Sequence, residues 1–195
     1  MNSSTPLSPE NLKVDVYGVL VGHTWAEVGL LFACINTYKI KKVVEIGVHN
    51  GGLSILLAHA TEHIPNFHYL AIEIDDNLIK PTVKKLFHPL GNSTLWIEDA
   101  WQMTTISRVR HWMTTTAAGP TLIYCDGGNK PKEFGLYAQI LNKGDFIAAH
   151  DYDYGGYERA EIGPEDVMPV VEQQGLSPIG FPAPYRIFFC ERVIK

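Results

Sequence analysis

Carboxylate and histidine side chains recur at the ends of the short apolar runs of this sequence, and a glycine-rich turn precedes them. The turn is Glu45-Ile46-Gly47-Val48-His49-Asn50-Gly51-Gly52-Leu53-Ser54, and the polar residues that follow are Glu73, Asp99, Asp126 and the pair His150-Asp151. Gly47, Gly51 and Gly52 permit positive φ or close approach of a ligand to the backbone, and a helix starting beyond them presents unpaired N–H groups. That is a cradle for a polar ligand. Glu73, one strand over, could accept both hydroxyls of a ribose. Asp99 could accept from an exocyclic amine, and the indole of Trp101 offers a flat apolar face to a base. Plainer readings stand beside these: carboxylates at strand ends commonly cap the next helix, and Trp101 suits the core equally well. His150 could take a hydroxyl proton near neutrality or bond a neighbouring backbone group. His23 and His49 have weaker claims, and Lys130 or Lys132 acts as a base only if the loop after Asp126 folds inward.

These residues need a scaffold that brings strand ends to one rim, and the hydrophobic patterning supplies it. Val43, Val44 and Ile46 form a β-branched run, after which Leu53, Leu56, Leu57 and Ala60 recur at helical spacing. Tyr69 to Ile74, Thr94 to Ile97, Thr121 to Cys125 and Phe146 to Ala149 predict four more strands. The intervening helices are marked by Ile79, Val83 and Leu86, by Ile106, Val109 and Met113, and by Phe134, Tyr137 and Leu141. The helix that follows the second strand begins near Asp76 on this reading, and Pro131 suits a first helical position. Upstream, Thr24-Trp25-Ala26-Glu27 reads as a capping box for a leading helix over residues 24–40, with Trp25, Val28, Leu31, Phe32 and Ile35 on one face. Downstream, Pro169 kinks a helix that starts at Pro164 or delays its start, and the runs Leu176 to Phe181 and Arg186 to Val193, separated by Pro182-Ala183-Pro184, predict an antiparallel pair. The loop from Tyr152 to Gly163 is longer than most connections and is a candidate to shape a pocket. The whole predicts one α/β domain, a Rossmann-like three-layer sandwich over residues 1–195 with an N-terminal extension over 1–23.

Composition bounds the partners. At 195 residues, 46% hydrophobic and 19% charged with a net charge of −5, the chain lacks the basic excess that nucleic-acid binding requires. Residues 1–9 are rich in Ser and Pro without the features of a secretory leader, and they are expected to fray. No apolar run approaches the ~20 residues that span a bilayer. Cys34, Cys125 and Cys190 fall in or beside apolar runs at no metal-ligand spacing, as expected for reduced thiols in a cytoplasmic protein.

The glycine spacing separates the nucleoside cofactors. A G-x-G-x-x-G turn would seat the pyrophosphate of NAD or FAD, whereas this turn reads Glu45-x-Gly47-x-x-x-Gly51-Gly52, and no P-loop occurs. With Glu73 and Asp99, the pattern resembles the class I S-adenosylmethionine-dependent methyltransferases over residues 41 to the C-terminus. The resemblance implies a seven-stranded, mostly parallel sheet with the last strand antiparallel. It implies that Glu45, Gly47 and Gly51, with Asn50 and Ser54 of the same turn, flank the methionine moiety, that Glu73 meets the ribose, and that Asp99, Ala100 and Trp101 meet the adenine. Within that superfamily, Leu122-Ile123-Tyr124-Cys125-Asp126-Gly127 and Leu141-Asn142-Lys143-Gly144-Asp145-Phe146-Ile147-Ala148-Ala149-His150-Asp151-Tyr152 resemble the macrocin O-methyltransferase and cephalosporin hydroxylase-like group. There, positions matching Asp126, His150 and Asp151 hold a divalent cation, although the second is usually acidic and His150 departs from that. Two carboxylates favour Mg²⁺, and participation of His150 shifts the preference towards Mn²⁺ or other transition metals. The expected activity is O-methylation of a hydroxylated small molecule, a sugar or another natural product, with Asp126 and His150 in the catalytic roles. The alternatives are a nicotinamide-dependent oxidoreductase and a non-catalytic binding protein that keeps the cofactor fold. A homo-oligomer stays open, because the leading helix can cover its own sheet or a partner's.

Overall fold

The computed structural model describes residues 13–87, 90–154, 160–180 and 186–194. Its first element is a hairpin of β1 (Lys13–Val16) and β2 (Val19–Thr24), turned by Tyr17 and Gly18 at φ 55° and 73°. The extension over 1–23 thus contains a two-stranded sheet that helical and α/β patterning does not predict. Its signal was the short alternation Val14, Val16, Val19, Val21 about a Tyr-Gly turn, which is a hairpin pattern. Thr24 then caps α1 (Trp25–Thr37) through the expected box with Glu27. Val28, Leu31 and Ile35 are buried as expected, but Trp25 is 54% exposed.

Strands and helices alternate from there: β3 (Lys42–Ile46), α2 (Gly52–Thr61), β4 (His68–Glu73), α3 (Pro81–Phe87), β5 (Ser93–Ile97), α4 (Met103–Thr115), β6 (Thr121–Cys125), α5 (Lys130–Tyr137), β7 (Phe146–His150), α6 (Pro164–Gln174), β8 (Leu176–Pro178) and β9 (Ile187–Arg192). The large sheet has the order β5-β4-β3-β6-β7-β9-β8. β3 pairs in parallel with β4 and β6, and β9 lies antiparallel to both β7 and β8. This is the predicted seven-stranded Rossmann-like sheet with its last strand antiparallel. Alternate strand residues point to opposite layers. Val43, Tyr69 and Leu122 pack beneath α1, α2 and α3, whereas Val44, Leu70 and Ile123 pack against α4, α5 and α6.

One helix start differs from expectation and another is fixed between two expected alternatives, each for a local reason. Asp75 Oδ1 accepts from the backbone N and the side-chain Nδ2 of Asn77, both at 2.9 Å, and this turn competes with a helix start near Asp76. α3 therefore begins at Pro81, whose fixed φ suits a first turn. α6 begins at Pro164 with Asp166 Oδ2 accepting from Gly163 N at 2.9 Å, and Pro169 is accommodated inside it at the loss of one backbone bond. Of the long loop, Tyr152 bridges to Ile162, and residues 155–159 lie outside the described residues, as do residues 1–9 and the 182–184 connection. All three cysteines are free and buried, and among the described residues no helix is long and apolar enough to cross a membrane.

The hairpin docks on the start of α2. A Cβ at Gly52 would lie 2.5 Å from Leu20 O and 2.7 Å from Val21 Cα, so only glycine admits this contact. Gly52→Ala is therefore expected to lower stability by about 1–3 kcal/mol in urea unfolding and to speed proteolytic cleavage within residues 13–24. Unchanged cleavage there would show that the hairpin is held by other contacts.

Candidate active site

The ends of β3 and β6 meet backbone to backbone. Gly47 has φ 87°, and a Cβ on it would sit 2.6 Å from both Asp126 O and Gly127 N. Asp126 N donates to Ile46 O at 2.9 Å across the same junction. Two carboxylates brace the loops that leave it. Glu73 Oε2 accepts from Val48 N at 3.0 Å and His49 N at 2.8 Å, while Oε1 accepts from Ile74 N at 2.8 Å and Asp75 N at 3.2 Å. Glu133, on α5, accepts from Gly127 N at 3.0 Å and Asn129 N at 3.2 Å.

This junction opens into a cavity of about 820 Å³, lined on one side by Gly47, Glu73, Asp99, Ala100 and Trp101 and on the other by Asp126 and Lys130. It lies outside the carboxyl ends of the strands between β3 and β6, where strand order reverses, which is where open α/β sheets bind ligands. Trp101 is 37% exposed, so it is not a core residue. Its backbone N donates to Asp99 Oδ1 at 2.8 Å, and Lys132 Nζ lies 4.0 Å from its ring centroid. Ala100 is held by its carbonyl, which accepts from Tyr137 Oη at 2.8 Å.

The remaining residues of the glycine turn stand behind this wall. Glu45 is buried on the α2 side of the sheet, where it accepts from Ser54 Oγ and, at 2.8 Å, from Tyr69 Oη. Burial pushes its pKa up to about 8, the two hydroxyls opposing that only in part, so Glu45 is a neutral acid at neutrality. Gly51 abuts Val83, and Asn50 O accepts from Lys80 N at 3.3 Å. Glu45 and Ser54 thus support the turn from within, and none of Glu45, Asn50, Gly51 and Ser54 lines the cavity.

On the other side, a buried charge cluster gathers around Asp126. His150 Nδ1 lies 3.0 Å from Asp126 Oδ1, and His23 Nε2 lies 3.3 Å from Oδ2 and 2.8 Å from Tyr124 Oη. The two imidazoles stack at 4.2 Å between centroids, so only one can carry charge at modest cost. Burial lowers the pKa of His23. Burial opposes a charged His150 too, but Asp126, Glu27 and Asp151 outweigh it and raise its pKa to about 9. His150 therefore holds its proton at neutrality and donates to Asp126, and it is not available as a base. Asp126, despite burial, is held below the ordinary carboxylate range by His150, His23 and Lys130. Glu27 accepts from Arg186 Nε at 3.0 Å, and Arg186 Nη1 donates to Asp151 Oδ1 at 2.7 Å. Sequence reasoning gave His23 only a weak claim and missed Glu27 and Arg186 as members of this cluster. Glu27 was visible only as a capping residue, a role it also fills, and nothing local marks Arg186.

A divalent cation fits these side chains poorly. Asp151, one of the implied ligands, is turned to Arg186, and its other oxygen lies 3.5 Å from Lys130 Nζ. Among the described residues, the donors of His23, Asp126 and His150 lie within 4.8 Å of one another, which groups them as a metal candidate by proximity. Asp126 is the one carboxylate of that group, and its two oxygens already pair with the imidazoles of His150 and His23, at 3.0 and 3.3 Å.

No family model and no curated protein sequence matches the chain. Solved structures do share its fold. A Staphylococcus aureus protein assigned as a caffeoyl-CoA O-methyltransferase is 15% identical over 84% of this chain and 82% of its own, with a TM-score of 0.60. The apo form of CmcI-N160 is 16% identical over 100% of this chain and 87% of its own, with a TM-score of 0.58. A point mutant of MtNAS is 11% identical over 86% of this chain, at a TM-score of 0.54, and this chain spans 60% of its length.

The neutral Glu45 makes stability depend on pH. Its folded pKa of about 8 exceeds the ordinary 4.5, so the folded protein keeps a proton that the unfolded chain releases. That contribution is full below about pH 4.5 and is lost as pH rises towards 8. In urea unfolding at about pH 5 and about pH 8, Glu45→Gln is expected to lose less stability over the interval than the wild type. Equal losses in both proteins would show that Glu45 is already charged at the lower pH.

Proposed function

We propose that this protein is an S-adenosylmethionine-dependent O-methyltransferase acting on a hydroxyl of a small molecule, a sugar or another natural product. The observation that carries this reading is the cavity at the β3/β6 junction, which brings the glycine turn, the Asp99-to-Trp101 wall and Asp126 to one space. The shared fold supports it. CmcI-N160 is known with SAH, and the MtNAS mutant with S-adenosylmethionine.

In this reading Gly47 lets the methionine part of the donor approach the backbone, and Asp99 with the exposed face of Trp101 receives the adenine. Glu73 places its charge beside the ribose while holding the glycine turn by two backbone bonds, from Val48 N and His49 N. The sulfonium already activates the methyl group, so the protein's task is to align an acceptor oxygen with it. As the oxygen attacks, the S–CH₃ electron pair returns to sulfur as a thioether, the O–CH₃ bond forms, and the hydroxyl becomes strongly acidic. A weak base then suffices, and Asp126 takes the proton before passing it to solvent. His150 orients Asp126 through Nδ1–H. No step is routed through a divalent cation.

Calorimetry with SAH and with NAD tests the donor site: SAH is expected to bind, and tight NAD binding without SAH binding would refute the reading. Glu73→Ala is expected to weaken SAH binding by loosening the turn. With labelled S-adenosylmethionine and a panel of hydroxylated acceptors, Asp126→Asn is expected to lower kcat by about 10²-fold or more, and an unchanged rate would remove Asp126 from the reaction.

A further inference from the structure

The carboxylates around the cavity already enclose a cation. Lys130 is only 4% exposed although it lines the cavity, and a lysine so buried stays charged only among carboxylates. Its Nζ lies 2.6 Å from Glu161 Oε2, 3.1 Å from Gly127 O, 3.5 Å from Asp151 Oδ2 and 3.8 Å from Asp126 Oδ1. Those residues come from the loop after β6, the loop after β7 and the far arm of the 152–163 loop, so Lys130 sits where three segments converge.

We propose that Lys130 is the resident cation of this site, holding the place between Asp126 and Asp151 that a divalent ion would otherwise take and presenting a donor to the acceptor oxygen. Three observations carry this. The first is the donor count: among the described residues, Glu161 and Gly127 take two of the three ammonium protons in hydrogen bonds, while Asp151 and Asp126 stand off as ion-pair partners at 3.5 and 3.8 Å, which leaves the third proton for an oxygen entering the cavity. The second is position: the ammonium lies between the two carboxylates, 3.5 Å from Asp151 Oδ2 and 3.8 Å from Asp126 Oδ1, where an ion bridging them would meet its charge. The third is that Asp151 adopts φ 56° and points its carboxylate at Arg186 and Lys130, so the carboxylate pair that would chelate an ion is spent on fixed cations. The part of this inference that concerns the acceptor rests on the proposed O-methyl transfer, and the part that concerns the cation does not.

Electron paramagnetic resonance of Mn²⁺ titrated into the purified full-length protein tests it, because bound Mn²⁺ leaves the sharp aqueous signal. The wild type and Lys130→Arg are expected to leave that signal undiminished at equimolar metal. Lys130→Met is expected to bind Mn²⁺ at least tenfold more tightly, and the further change Asp126→Asn to abolish that gain. Wild-type uptake of one Mn²⁺ per chain, lost in Asp126→Asn, would overturn the assignment. So would a Lys130→Met protein that folds by circular dichroism yet binds Mn²⁺ no better than the wild type. Should Lys130→Met not fold, the wild type and Lys130→Arg alone decide. SAH binding measured on the same wild-type sample reports separately on the donor site, so its failure would sink the methyltransferase reading and leave the cation assignment standing.

Discussion

The approach of the Gly47 backbone to Asp126 and Gly127 is the constraint on which the cavity depends. A side chain at Gly47 would strike main-chain atoms, which cannot rotate away, so the two strand ends can lie side by side only with a hydrogen atom at that Cα. The loops that diverge from this junction would carry several unpaired N–H groups, and Glu73 and Glu133 satisfy them from opposite sides. The opening between the loops therefore has rigid walls before any ligand arrives, which lowers the ordering cost of binding.

Beside that frame lies a cluster whose charges are interdependent. Asp126 holds a proton on His150, while burial, with the charged His150 stacked at 4.2 Å, keeps His23 neutral. Arg186 spans Glu27 and Asp151, tying the start of α1 to the end of β7. Removing one member of such a set leaves its partners buried and uncompensated, so the cost is expected to spread over the whole cluster.

The fold was legible because its signals are local. Each parallel strand is a short β-branched run, each helix has its apolar spacing, and Thr24-to-Glu27 caps α1 as its residue types require. The first wall of the cavity was legible for the same reason, since Gly47, Glu73 and Asp99 to Trp101 each end or follow a recognisable strand. What stayed hidden depends on contacts between distant elements. His23 reaches Asp126 only because β2 docks on α2, and Arg186 reaches Glu27 across 159 positions of sequence. The inward or backward direction of a strand residue is equally non-local. Glu45 lies in the motif that suggests a cofactor contact, but its place in the alternation of β3 turns it to Tyr69 and Ser54.

The interleaving of Arg186 with Glu27 and Asp151 has a consequence for biosynthesis. A ribosome delivers β3, β4, β5 and β6 in order, and these four adjacent strands with their loops are enough to shape the glycine-turn wall. Arg186 immediately precedes β9, the last strand to emerge, and β9 must insert between β7 and β8 before the guanidinium reaches its carboxylates. During translation Glu27 and Asp151 thus wait without that counter-charge, and the cluster closes only after the glycine-turn wall has taken shape.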